Sequence, residues 1–464
     1  MNNSINSRKT ITFLNHSSFI ISTNTTNILC DPWFNGLAFH NGWSLLHDNS
    51  HDINQLNFDY IWISHEHPDH FSIPTLSRLT KKTTFLFQKT LDKKLKCYLE
   101  DKKHKVIELE NKVEYQFKDL KITNIICDGF DSVLVVEYPD KSILLNINDA
   151  RVDLNNHIEN EILPCLRCRQ VDTMMFQYSY ANWAGNIDDK KTPTFQQKIW
   201  DKKNDYAISK LQPKYIIPFA SFIYFCHKEN AHWNQYDWLQ HIYFKYKDYE
   251  SKLIIPQPNQ IINISENLQN KLNINNLKAL KYWKNKKKFA KLKVDTQSVT
   301  IDCLKAEYKN FHTLLKKKNK LIGLVKREKN FLLSVDIFDL KLNLKIGLFQ
   351  ELFEVSESCN QVYHVSLSSE MLLLLFAKQY ARGTLTVNGR ITFNYTYAHL
   401  FFLFFFISYA NNIGCIFNCP NDLNITKLKS ILNNLVIMSI LNENYLHKKV
   451  ILRDINTFNK IYKQ

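Results

Sequence analysis

The sequence has little glycine, no closely spaced set of cysteines and no apolar run long enough to cross a membrane. Only 9 of its 464 residues are glycine, in a composition rich in asparagine and lysine that is typical of an AT-rich genome. The Phe-rich run at residues 400–407 is far shorter than the roughly 20 residues of a membrane-spanning helix. We therefore expect a buried core helix or strand there and no transmembrane segment.

The cysteines do not form the dense pattern of a secreted, disulfide-linked scaffold. Ten cysteines are spread from Cys30 to Cys419, and the residues after Met1 lack an apolar signal region. We expect a cytoplasmic, reduced protein. The pair Cys165 and Cys168 has no second pair to complete a zinc site, so it is left out of the candidate site.

Composition indicates an ordered protein of two to three domains. Hydrophobic residues make up 45% and aromatic residues 13% of the chain. The net charge of +16 favours acidic partners such as phosphorylated metabolites. The lysines of residues 281–293 come without a nucleic-acid recognition motif, so we interpret them as a solvated helix face and expect no nucleic acid.

Short strands with polar turns dominate the first half of the chain. Residues 10–14, 18–22 and 26–30 predict a mixed sheet, and residues 60–64 predict a strand that leads into a cluster of histidines. Residues 132–147 read as a hairpin that ends at Asp149. A further strand, residues 215–218, precedes His227, so polar residues recur at strand ends, where layered α/β folds build their sites.

The composition changes near residue 265 to a sequence rich in asparagine and lysine. The predicted fold class is α/β on both sides of this change. We predict a first domain at residues 8–262, a Lys- and Asn-rich linker at 263–300 and a smaller α/β domain at 301–464. In the last of these, the spacing from Met371 to Lys378 predicts a helix and residues 383–390 predict a strand.

The residues with the clearest chemistry are packed into His65-Glu66-His67-Pro68-Asp69-His70. Two histidines one residue apart on an extended segment point the same way, so His65 and His67 can share one metal. Asp69 and His70, offset by Pro68, can reach a second. Imidazole and carboxylate suit zinc, iron or manganese, and two ions roughly 3.5–4 Å apart can bridge a hydroxide. The sequence therefore predicts two divalent metal ions, zinc or iron.

This cluster resembles the signature of the metallo-β-lactamase superfamily. The resemblance implies an αββα sandwich for residues 8–262, with the metals at one edge of its sheets. It also implies that Asp149 is the bridging aspartate, that His227 is the late histidine ligand and that Asp31 orders the metal-site loop.

Within the superfamily, residues 31–47 and 218–220 are most similar to the catalytic region of CMP-N-acetylneuraminate hydroxylases. The likeness covers about residues 10–260 and extends more weakly to N-acyl-phosphatidylethanolamine phospholipases and L-ascorbate-6-phosphate lactonases. Residues 363–390 loosely resemble sterol-carrier-protein-like domains.

Two features depart from the family pattern. The histidine expected between the cluster and the hairpin is absent, and only Cys127, Asp128 and Asp131 are available there. We predict that Asp128 approaches the metals in its place, which would favour iron or manganese over zinc; the alternative is that it caps the turn at Gly129. The Cys-x-His and Cys-x-x-His ligand pairs of the hydroxylases' Rieske domain do not occur in this sequence. An oxygenase reaction would therefore need an electron-transfer partner.

Three functions follow as hypotheses. The first is a metal-dependent hydrolase in which Asp69 orients or deprotonates a metal-bound water, acting on a small-molecule or sugar- or lipid-linked anionic substrate. The second is an iron-dependent hydroxylase, and the third is a metal-stabilised protein that binds an acyl chain or glycan. Tyr180 and Trp183 are candidates for the substrate pocket.

Overall fold

The computed structural model describes residues 9–47, 51–90, 92–127, 131–180, 182–249, 252–264, 272–320, 330–357, 362–412 and 416–418. The chain divides into two compact units. Unit 1 comprises residues 1–181, 197–226 and 233–291, and unit 2 comprises residues 182–196, 227–232 and 292–464.

Unit 1 contains two seven-stranded sheets. Its first strands in the chain are β1 (Thr10–Asn15), β2 (Ser18–Ser22), β3 (Asn27–Cys30), β4 (Trp43–Leu45), β5 (Tyr60–Ile63), β6 (Thr84–Gln88) and β7 (Lys105–Leu109). The next are β8 (Glu114–Phe117), β9 (Leu120–Cys127), β10 (Asp131–Glu137), β11 (Ile143–Asn148), β12 (Thr173–Gln177), β13 (Tyr215–Phe219), β14 (Ile223–Phe225), β15 (Lys252–Leu253) and β16 (Gln260–Asn263).

Each sheet mixes parallel and antiparallel pairs. The first has the order β16-β1-β2-β3-β5-β6-β7, the second β15-β13-β12-β11-β10-β9-β8, and β4 pairs with β14. In the first sheet β3, β5, β6 and β7 run parallel, and in the second β11, β12 and β13 do. The predicted strands at residues 10–30, 60–64 and 215–218 and the predicted hairpin are confirmed.

The helices of the N-terminal part of the chain are α1 (Ile73–Leu76), α2 (Lys94–Asp101), α3 (Leu163–Leu166), α4 (Lys191–Leu211), α5 (Trp238–Tyr246) and α6 (Leu272–Lys288). Short 3-10 helices lie at Ile53–Gln55 and Ala231–Gln235, and a π-helical turn at Ile158–Ile162.

The core of unit 1 is layered. One cluster joins side chains of both sheets, such as Phe13 and Trp62 with Val133 and Met174. A second cluster packs the other face of the first sheet against α1 and α2 through residues such as Leu76 and Leu99. Both faces of the strands are covered, so strands such as β11 are buried along their whole length and do not alternate between buried and exposed residues. The predicted αββα sandwich is confirmed.

Unit 2 is a smaller α/β region. Its strands β17 (Leu332–Ile337), β18 (Leu342–Gly347), β19 (Phe353–Glu357), β20 (Val365–Leu367) and β21 (Thr392–Phe393) form a sheet of order β19-β18-β17-β20-β21. Its helices are α7 (Ile301–Lys318), α8 (Ser369–Ala377), α9 (Ala381–Asn388), α10 (Ala398–Phe404) and α11 (Phe406–Asn412). Helices α10 and α11 bury the Phe-rich run, as predicted.

The predicted strand at residues 383–390 is wrong, because most of it lies in helix α9. Threonine and valine favour strands, but here Ala381, Leu385 and Thr386 are buried on a helical spacing, and Gly389 ends the helix with a φ of 70°. Packing overrides the local preference. The helix predicted from Met371 is confirmed as α8.

The predicted linker at residues 263–300 contains helix α6, which carries most of the lysine-rich run. Trp283 of this helix belongs to the core of unit 1, whereas its last turn is basic. The boundaries 8–262, 263–300 and 301–464 stay a prediction. Among the described residues, none of the helices is both long enough and apolar enough to cross a membrane.

Candidate metal centre

The histidine cluster lies at the carboxyl end of strand β5, in the interior of the first sheet. It follows β5, and Asp31 follows the neighbouring parallel strand β3, so both leave the sheet at the carboxyl ends of their strands. His65, Asp69 and His70 are buried, whereas His67 is exposed.

Asp31 and Ser64 fix the orientation of two histidine rings. Asp31 adopts a positive φ of 42°, and its carboxylate accepts hydrogen bonds from the Ser64 amide and hydroxyl, both at 2.8 Å. Its Oδ2 lies 2.9 Å from Nδ1 of His70, and the Ser64 hydroxyl lies 2.9 Å from Nδ1 of His65. Because both Nδ1 atoms are engaged in this way, coordination of a metal would fall to the Nε2 atoms. The predicted ordering role of Asp31 stays a prediction, which these contacts support.

The Nε2 atoms meet the carboxylates of Asp69 and Asp149. His70 Nε2 lies 3.3 Å from Asp149 Oδ2 and 3.4 Å from Asp69 Oδ2. His65 Nε2 lies 4.0 Å from Asp149 Oδ2 and 2.8 Å from Nδ1 of His67. The hairpin thus delivers Asp149 to the cluster from the second sheet.

Asp131, one of the three residues available for the role of the absent histidine, brings a further carboxylate near the cluster. Asp131 is the first residue of β10 and Asp149 follows the last residue of β11, and because these two strands pair antiparallel, both residues lie at the same end of the pair. Asp131 Oδ1 lies 3.8 Å from His65 Nε2. Asp128, the residue predicted for this role, lies outside the described residues.

His16 joins the site although sequence reasoning missed it. It lies in the turn between β1 and β2, with its Nε2 3.1 Å from Asp69 Oδ2, while the neighbouring Ser17 hydroxyl donates to the Asp69 carbonyl at 2.9 Å. Its ring is completely buried. The available signal was a histidine in a tight turn between two apolar strands, which is weak without the strand order.

Burial and mutual charge shift the pKa values of the cluster strongly. Burial lowers the pKa of His65 to about 4, helped by the charge of His70, and burial raises the pKa of Asp131 to about 6 against the charge of His67. Burial alone would lower the pKa of His70, but Asp69, Asp149 and Asp31 raise it well above its ordinary value. A metal ion would displace a proton from His70 on binding.

The residues present fit a metal site. Ligand atoms within 4.8 Å of one another form two groups that share His70: His16 with Asp69 and His70, and His65 with His70 and Asp149. Oδ1 of Asp69 and Oδ1 of Asp149 are buried and have no hydrogen-bond partner among the described residues. Buried carboxylate oxygens without partners are costly, and a cation would satisfy them.

The remaining predicted residues lie elsewhere. In unit 1, Tyr180 is buried and lines a small cavity of about 60 Å³ with Tyr178, Trp233 and Trp238. In unit 2, Trp183 is fully buried and donates its indole N–H to the Ile391 carbonyl. The pocket roles of Tyr180 and Trp183 stay predictions.

His227 is also assigned to unit 2. Its ring is buried, and its Nδ1 lies 3.7 Å from a Glu229 oxygen. Its predicted role as a metal ligand stays a prediction.

Known proteins are similar to this chain over parts of its sequence. The family model described as the beta-lactamase superfamily domain matches residues 10–133. The cytidine monophosphate-N-acetylneuraminic acid hydroxylase of Danio rerio is 25% identical over 244 residues, which cover 48% of this chain and 40% of that protein. A Mycolicibacterium smegmatis protein described as a Rieske 2Fe-2S iron-sulfur protein is 34% identical over 196 residues, 39% of this chain and 36% of that one.

The chain spans less than half the length of these curated relatives. Among solved structures, the diiron beta-hydroxylase CmlA from Streptomyces venezuelae aligns over 55% of this chain and 54% of its own, with 12% identity and a TM-score of 0.37. The predicted resemblance to CMP-N-acetylneuraminate hydroxylases is confirmed, and residues 10–133 are similar to the beta-lactamase superfamily domain.

Proposed function

We propose that this chain is a two-metal hydrolase that activates water at the cluster of His65, His70, Asp69 and Asp149. The observation that carries the proposal is the pair of carboxylate oxygens, on Asp69 and Asp149, that are buried without a partner beside two imidazole Nε2 atoms. Two divalent ions held there would lower the pKa of a bound water and polarise the bond to be cleaved. Hydrolysis also needs no electron source.

The chain's own residues would position the reaction. Asp31 and Ser64 hold the rings of His65 and His70 so that their Nε2 atoms face the carboxylates. His16 and Ser17 hold one oxygen and the backbone of Asp69, which leaves Asp69 Oδ1 to accept a hydrogen bond from the attacking water. The substrate would be a small molecule, or a sugar- or lipid-linked anion.

An iron-dependent hydroxylase is the second candidate, and a specific observation favours it. Asp131 Oδ1 lies 3.8 Å from His65 Nε2, and a carboxylate ligand there would give the harder oxygen coordination that suits iron or manganese. The hydroxylase and Rieske names of the sequence relatives agree with this candidate. Hydroxylation would require a source of electrons.

Metal analysis of protein purified without chelator separates the two candidates. Elemental analysis is combined with turnover assays on panels of phosphodiesters, esters and amides, with and without oxygen. Zinc or manganese with oxygen-independent turnover supports hydrolysis. Bound iron, with an optical band that changes on exposure to oxygen, would support hydroxylation and contradict hydrolysis. A wild-type protein without bound metal would refute both.

A further inference from the structure

Helix α4 buries a lysine next to the candidate metal centre. Lys203 is completely buried, whereas the preceding residue, Lys202, is exposed. The ring of Trp200 lies 5.2 Å from the Lys203 ammonium, one helical turn away. Trp200 is itself buried, so this ring limits where the long side chain can go.

The Lys203 ammonium is poorly satisfied by the protein. It has three donors, but among the described residues its one hydrogen bond goes to the Asp149 carbonyl at 3.4 Å. That distance is long for an N–H donor. A buried ammonium is expensive unless it is paired and hydrogen-bonded, so this arrangement calls for another group at Nζ.

The nearby carboxylates do not supply that group. Asp153 is engaged by Arg151 in a two-point ion pair, with distances of 2.9 Å and 2.8 Å. Asp149 and Asp131 both face the histidines, at 3.3 Å from His70 and 3.8 Å from His65. Within 4 Å, none of the described carboxylates forms an ion pair with Lys203.

We propose that Lys203 binds an oxyanion group of the substrate, a phosphate or a carboxylate, next to the metal centre. This inference rests on the proposed two-metal function and narrows its substrates to anionic ones. Lys203 acts as a positioning residue, because a charge-assisted hydrogen bond from its ammonium would hold the substrate while the metals act on a neighbouring bond.

Calorimetric titration of the metal-loaded protein with inorganic phosphate, and separately with acetate, tests the proposal. The variants are Lys203→Met, which keeps the length of the side chain, and Lys203→Arg, which keeps its charge. Lys202→Met is the control on the same helix. We expect the control to match the wild type, Lys203→Met to bind the preferred oxyanion at least about tenfold more weakly, and Lys203→Arg to recover part of the loss. The anion that binds more tightly identifies the oxyanion group of the substrate as a phosphate or a carboxylate.

The metal content of each sample distinguishes a failure of the proposed function from a failure of the proposed role of Lys203. A wild type without metal refutes the proposed function, whatever the variants do. If the wild type holds metal but Lys203→Met binds both oxyanions within about twofold of it, the role of Lys203 is wrong. Loss of metal by Lys203→Met, or no binding of either anion by the loaded wild type, also overturns it.

Discussion

Two buried charge clusters, one in each unit, differ in how completely the protein satisfies them. In unit 2, Arg390 is almost fully buried, and it donates to Glu229 at 3.0 Å and 3.1 Å and to Glu370 at 2.7 Å. Glu229 also accepts from the Thr296 hydroxyl at 2.6 Å. In unit 1, Asp69 and Asp149 each keep an oxygen with no partner among the described residues.

The difference indicates two purposes. A cluster whose donors and acceptors are matched holds its elements together, and removing one member leaves the others uncompensated. A cluster with buried ligand atoms left over has room for an ion that the protein does not supply itself. Burial and charge are similar in both, so satisfaction of the individual atoms is what distinguishes a structural network from a metal centre.

The largest expected effect is the loss of metal in Asp69→Ala. Asp69 offers a ligand atom to one of the two groups, and His70 keeps Asp31 and Asp149 as partners, so the protein should still fold, with some loss of stability because the buried His16 loses its carboxylate partner. Elemental analysis should show that at least one of two ions is lost. Glu66→Ala, an exposed neighbour in the same loop, is the control and should keep both. Full metal content in Asp69→Ala would remove this residue from the site. His67→Ala is likewise expected to lose metal.

Arg390→Met should lower the stability of the protein without changing its metal content, because it breaks the hydrogen-bonded cluster of unit 2. Glu229 and Glu370 would be left buried without their cation, which costs about 3–5 kcal/mol. Guanidinium denaturation should report this loss of stability, while metal content stays at the wild-type value. Lys228→Met, on an exposed side chain next to Glu229, should change stability by less than about 0.5 kcal/mol. A stable Arg390→Met variant would contradict the structural reading of this cluster.

Asp131→Asn tests which carboxylate stands in for the absent histidine. The amide keeps the shape and weakens coordination, so the affinity for iron(II) should fall by about tenfold or more relative to that for zinc. Asp128→Asn is the matched comparison, because Asp128 was the residue predicted from sequence. Competitive metal titration measures both. A larger effect at Asp128 would restore the original prediction.

A smaller effect is expected for Asp31→Asn, since Asp31 orients His70 and Ser64 rather than offering an atom to a metal group. Metal affinity should fall by about 10–100-fold with stoichiometry retained. Asp52→Asn, an exposed carboxylate that caps a short helix, should leave affinity unchanged. Unchanged affinity in Asp31→Asn would mean that the ring orientation does not depend on this contact.

Sequence reasoning anticipated that His65, Asp69, His70 and Asp149 lie together, and their roles as metal ligands stay predictions. The spacing from His65 to His70 carries its own geometry, and Asp149 was visible as the end of a hairpin strand. The choice of Asp128 over Asp131 stays a prediction, because strand pairing decides it: Asp131 begins β10 at the end of the pair where β11 finishes, and it lies 3.8 Å from His65. Lys203 is indistinguishable in sequence from its exposed neighbour Lys202. The β-branched residues of α9 predicted a strand because their burial on a helix could not be foreseen.

The most direct test of the central claim is anomalous scattering from crystals of the metal-loaded protein. We predict two metal peaks in unit 1, one contacted by His65 and Asp149 and the other by Asp69, and no peak at the cluster of Arg390, Glu229 and Glu370. Metal found only outside the cluster of His65, Asp69, His70 and Asp149, or no bound metal in a protein that is folded and active, would contradict the account.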